Sequence, residues 1–193
     1  LEVSPPTMPL HSIEYGAEKL LRDAVVLPIY EGTSQIQALM AMKDSLMGIL
    51  KDPGSFYTRF AQATWTARPG GSDPERRVAR LQVLSCKALQ FLMTRLAGRK
   101  INAMRRKPVG QWAAFFKDWD PKNDFSLAML HAERLTRILA DLAIAEILLD
   151  QARKHPERLE LFERYLERAE PRCRFLYAEI TTTGARLLSS LAA

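Results

Sequence analysis

Cysteine is scarce in this chain, with two in 193 residues. Neither Cys86 nor Cys173 has metal ligands at a binding spacing around it, and both sit on apolar helical stretches. They offer neither a disulfide framework nor a zinc site and read as reduced core thiols. His131 and His155 form no HxxxH or HExxH pattern, so no metal is expected, and both read as surface or cap residues. Long apolar runs are also missing. None approaches the roughly 20 residues that span a bilayer. No basic start followed by an apolar core marks a secretory signal, and the chain is expected to be soluble. Sustained two-residue alternation with hairpin turns is absent, which argues against any sheet. No fixed-period repeat or low-complexity tract appears.

What remains is helical, and all-α is the expected fold class, as a helical bundle. Hydrophobic residues make up 47% of the chain, enough for a sizeable core. A helix opened by Thr33 or Ser34 carries Ile36, Leu39, Met40, Leu46, Met47 and Leu50 toward a break at Asp52-Pro53-Gly54, and Phe56, Phe60 and Trp65 suggest a short helix after it. Beyond the linker at 67–72, Asp73-Pro74-Glu75 sets a cap, a first-turn proline and a dipole-matched acid in order. Val78, Leu81, Leu84, Leu89, Leu92 and Leu96 then recur at helical spacing in one long helix. Asp120-Pro121 opens another, with an apolar stripe from Leu127 to Leu149. Pro156 starts a third with Leu159, Phe162, Tyr165 and Leu166 inward, which Pro171 kinks or restarts before Phe175, Leu176, Ile180, Leu187 and Leu188. Antiparallel packing is the economical arrangement.

The segment Ile29-Tyr30-Glu31-Gly32-Thr33-Ser34-Gln35-Ile36-Gln37 places a carboxylate beside a glycine, directly before an amphipathic helix. Gly32 has no Cβ to block a ligand, Thr33 or Ser34 can cap the helix, and the helix's free N–H groups offer an anion site. With the preceding Glu18-Lys19-Leu20-Leu21-Arg22-Asp23-Ala24, the stretch resembles the end of the catalytic domain in acyl-CoA dehydrogenases. There an arginine-aspartate-alanine element leads into an IYEGTSQIQ-like segment.

The resemblance implies that Glu31 is the base that abstracts the pro-R α-proton of a fatty acyl-CoA while a hydride leaves the β-carbon for N5 of FAD. It places Gly32 against the acyl thioester, Tyr30 in the acyl pocket, and Thr33, Ser34 and Gln35 on FAD. The FAD ribityl hydroxyl and the glutamate's own backbone N–H would hold the thioester carbonyl. An α-proton beside a thioester is too weakly acidic for an ordinary solvated carboxylate. Burial must raise the glutamate's pKa, and hydrogen bonds must stabilise the developing enolate. Arg22 and Asp23 are expected to hold the loop by ion pairing.

The likeness covers only about residues 10 to 50, the last two helices of that family's C-terminal bundle. The expected division is therefore the end of the catalytic helical domain over 1–52, a connecting segment over 53–72 and an appended helical bundle over 73–193. Such extensions resemble those of the larger branches, including the very-long-chain, bacterial fatty-acid degradation and methylmercaptopropionyl-CoA enzymes. The start at Leu1-Glu2-Val3 reads as mid-chain, and an isolated piece of this kind is expected to be inactive without the rest of the parent enzyme.

Charge opens other readings. The net charge is +6, concentrated partly in Arg95, Arg99, Lys100, Arg105, Arg106 and Lys107. Such a run suits the phosphates of CoA or FAD, an anionic membrane surface, or nucleic acid. The adjoining Val109–Trp119 stretch is aromatic-rich and could enter a lipid interface, against the plainer reading of aromatics plugging the bundle. Nucleic acid carries the least weight, because no recognition-helix or RNP pattern accompanies the charge. The family resemblance also implies a homo-oligomer and electron-transferring flavoprotein as electron acceptor. Met40, Met42 and Met47 would serve either such an interface or the core. The expected location is the cytoplasm, with membrane association left open.

Overall fold

The structure, a computed structural model, describes residues 16–30, 33–70, 72–104 and 125–191. Every element among them is helical: α1 Ala17–Tyr30, α2 Ser34–Lys51, α3 Pro53–Thr66, α4 Asp73–Met104, α5 Ser126–Leu130, α6 Ala132–Lys154, α7 Leu159–Thr182 and α8 Ala185–Leu191, with a 3-10 turn at Pro156–Arg158. The all-α expectation holds. Contacts divide the chain into two compact units, one ending at Gln37 and one running Ala38–Ala193.

In the first unit, α1 starts after Gly16, whose φ of 61 suits the residue without a Cβ. Its Leu20, Leu21 and Val25 are all more than half exposed, and their spacing sets them on one side of the helix.

The second unit is built on three long helices. Buried positions recur three and four apart on α4 (Val78, Leu81, Ser85, Ala88, Leu92), on α5–α6 (Ala128, His131, Leu135, Ile138, Leu142, Ala145, Leu149) and on α7 (Phe162, Leu166, Ala169, Cys173, Ile180). That spacing makes a seam on each helix, and the seams interdigitate in one core. Direction follows from the polar pairs. Arg158 reaches Gln151 near the α6–α7 turn, Arg172 reaches Asp141 mid-helix, and Arg134 reaches Glu179 at the far end, so α6 and α7 are antiparallel. Glu75 pairs with Arg153 and Arg77 with Glu170, which sets α4 against α6 and along α7.

The punctuation follows local chemistry. Asp52 Oδ1 accepts from the Ser55 N–H at 3.0 Å and Pro53 occupies the first turn, so α3 begins there. It runs 14 residues and packs on α4. Ser72, one residue earlier than expected, takes the cap position of α4: its carbonyl accepts from the Arg76 N–H at 3.1 Å. α7 runs without restart through Pro171, whose missing N–H falls on an exposed side.

Several expectations are corrected. His131 sits at the α5–α6 junction but is 1% exposed and makes no side-chain cap bond, because the buried seam passes through it. His155 is exposed at the end of α6, as expected. Leu159, Phe175 and Leu187 point outward, as do Ile36, Met40 and Leu50; Phe175, Ile36 and Met40 fall off the three-and-four spacing of the buried positions, while Leu159 and Leu50 keep that spacing but stand at the ends of their helices. Cys86 and Cys173 are free and buried, as expected. The helix start at Asp120-Pro121 and the aromatic stretch 109–119 lie outside the described residues.

Candidate functional site

The segment singled out by sequence occupies a helix–helix junction. α1 ends at Tyr30 and α2 begins at Ser34. Thr33 caps α2 from both its atoms: Oγ1 accepts from the Ile36 N–H at 3.5 Å and the carbonyl accepts from the Gln37 N–H at 3.1 Å. Of the two candidate caps, Thr33 therefore takes the position and Ser34 becomes the first helical residue. Thr33, Ser34 and Gln35 are all exposed, and no acid occupies the first turn of α2. Among the described residues no first-turn acid opposes the positive end of the helix dipole, which suits a polar or anionic group. Tyr30 closes α1 by its backbone; its side chain, Glu31 and Gly32 lie outside the described residues. Arg22 and Asp23 are exposed on α1.

A second polar constellation escaped the sequence reading. Asp141 is 3% exposed and accepts four hydrogen bonds: Arg172 Nη2 at 2.7 Å and Tyr165 Oη at 2.9 Å on Oδ1, Arg172 Nε at 2.8 Å and Cys173 Sγ at 3.5 Å on Oδ2. Burial pushes its carboxyl up, but the bonds from Arg172 and Tyr165 outweigh that and hold it below the usual range. The Tyr165 hydroxyl is pushed up to about 12 by burial and by the carboxylate it touches, and the Cys173 thiol to about 12 by burial and the Asp141 charge. At neutral pH Asp141 is thus held ionised while Tyr165 and Cys173 keep their protons. The cluster fixes α6 to α7 and is structural. Its signal was available: Asp141 lies on the buried seam between Ile138 and Ala145, where an acid requires a partner.

Two of the clefts lined by described residues of the second unit hold residues that the sequence singles out. One, of about 400 Å³, is walled by Phe91, Arg95, Gly98, Leu127, Thr182 and Leu188. Arg95 is exposed, with its guanidinium 5.3 Å from the centre of the Phe91 ring. It is the one residue of the basic run whose side chain is described; Arg99 and Lys100 lie on α4 by their backbone, and Arg105, Arg106 and Lys107 fall outside. The other cleft, of about 330 Å³, has Asp44, Gly48, Asp52, Arg59 and Cys86 among its walls. Burial raises the Cys86 thiol, so it is a poor nucleophile. Among the described residues no cluster of His, Cys, Asp or Glu could hold a metal ion, and no helix is long and apolar enough to cross a membrane.

No family model matches the chain, and no curated protein or solved structure matches it.

Proposed function

We propose that this chain carries the end of the catalytic helical domain of a FAD-dependent acyl-CoA dehydrogenase, with Glu31 as its base. The observation that carries the reading is the junction itself. In sequence, Glu31 and Gly32 stand between the end of α1 at Tyr30 and the Thr33-capped start of α2. FAD, when bound, supplies the acceptor for the hydride from the β-carbon. Thr33, Ser34 and Gln35 fit that cofactor: three exposed polar residues at a helix N-terminus with no acid in its first turn.

The chain's own part in the reaction is proton chemistry. Glu31 takes the α-proton of the acyl thioester, and Gly32 leaves room for the thioester beside it. Tyr30 lines the acyl pocket. Exclusion of water by the bound acyl chain raises the basicity of Glu31, since burial disfavours its charged form. The exposed apolar side of α1 supports a partner in the rest of the parent enzyme, because Leu20, Leu21 and Val25 would otherwise stay in water. Residues 73–193 serve assembly or surface association in this reading, within a homo-oligomer that passes electrons to electron-transferring flavoprotein.

The base assignment is tested by exchange at the α-carbon. In the parent polypeptide, acyl-CoA incubated in D₂O should exchange its α-proton, and Glu31→Gln should abolish that exchange while FAD stays bound. Undiminished exchange in the variant would refute the assignment.

A further inference from the structure

The least comfortable side chain in the second unit is His131. Its ring is 1% exposed, Nδ1 has no hydrogen-bond partner among the described residues, and Nε2 lies 3.4 Å from the Thr183 carbonyl oxygen at the end of α7. The neutral tautomer with its proton on Nε2 suits this setting, donating to Thr183 and leaving Nδ1 bare. A charged ring would carry a second N–H with no acceptor, inside the core.

The element that seals the ring is the turn into α8. Thr183 leaves the helix in extended conformation and Gly184 follows at φ 89. A Cβ at Gly184 would stand 3.1 Å from His131 Nε2 and 2.7 Å from Leu130 Cδ2, so the turn lies flush on the α5–α6 junction. α8 itself is seven residues long and packs on α5, with Leu187 half exposed. A helix this short depends on its docking, not on its own propensity.

We propose that His131 is an acid-sensitive latch for α8: the neutral ring admits the Thr183–Gly184 turn against the α5–α6 junction, and protonation of the ring releases it. Among the described residues the acid that favours the imidazolium, Glu179, is already paired. Glu179 on α7 is engaged by Arg134 of α6 at 3.0 Å, and Arg134 adds a like charge. α5 has no charged residue, α8 brings only Arg186, α4 brings Arg95 to the adjoining cleft, and α2, which faces this end of the core through Ala38, holds Lys43 and Asp44 exposed. Burial lowers the ring's pKa, and the Thr183 carbonyl and Glu179, which act the other way, do not prevail. Docking is therefore strongest above the ordinary imidazole value of about 6.5 and weakens as pH falls below it.

Amide hydrogen exchange on the full chain tests the latch, with rates corrected for the intrinsic effect of pH. From about pH 7.5 to about pH 5, protection over 185–191 should fall several-fold while that of Phe162–Ile180 in α7 holds, and His131→Phe should flatten the response. Flat protection in the wild type, or an acid response that survives in His131→Phe, would overturn the proposal. Should that variant not fold, the wild-type ring decides by NMR: His131 must titrate below the ordinary imidazole range in step with the loss of α8 protection, and titration at or above that range refutes the latch.

Discussion

Arg172 grips Asp141 with two hydrogen bonds, at 2.7 Å to Oδ1 and 2.8 Å to Oδ2, across the α6–α7 interface. The carboxylate is almost wholly buried while the guanidinium keeps one edge toward water. Removing one partner leaves a charge in the core, which costs about 3 to 5 kcal/mol. Arg172→Ala should accordingly lower the urea midpoint sharply. The paired exchange Asp141→Leu with Arg172→Met should restore most of the loss.

The same carboxylate sets an acid limit. Asp141 is held below the usual carboxyl range in the folded chain, so it binds protons more readily when unfolded. Its contribution is full above an unfolded value of about 3.9 and disappears as pH falls through the lower folded value. Stability curves for wild type and an Asp141→Asn variant should converge as pH drops below about 4. Parallel curves down to the acid end would contradict this.

Two glycines should respond in opposite directions to alanine. A Cβ at Gly184 would meet Leu130 and His131 and force a left-handed backbone on alanine, so Gly184→Ala should cost about 1 to 3 kcal/mol. Gly48 sits inside α2 with nothing within 4 Å of an added Cβ, and Gly48→Ala should stabilise by about 0.5 to 1 kcal/mol. Thermal unfolding of both variants gives the comparison.

Core truncation should follow the seams. Phe162 is 0% exposed at the heart of α7, and Phe162→Ala should cost about 3 to 5 kcal/mol. Phe175, 64% exposed on the same helix, should tolerate alanine within about 0.5 kcal/mol.

That contrast also marks how far the sequence could be read. Helical spacing located the long helices, and proline and glycine located their ends at Asp52-Pro53 and His155-Pro156. The facing of single residues was less legible. Phe175 and Phe162 look alike in composition, and only the three-and-four spacing from Leu166, Ala169 and Cys173 assigns one inward and one outward. His131 reads as a surface or cap residue because polar type outweighs position, although it lies on the seam, as does the buried Asp141. Their partners, Thr183 and Arg172, are remote in sequence, and no local pattern announces such pairs. The cap of α2 is legible to within one residue, Thr33 or Ser34, because capping is decided within four residues.

The proposed role of Glu31 as base is tested most directly by acyl-CoA-dependent bleaching of FAD in the parent polypeptide. Wild type should bleach on addition of substrate across the acyl chain lengths it accepts, and Glu31→Gln should bind FAD yet fail to bleach. Bleaching undiminished in Glu31→Gln would contradict the account and move the base to another residue.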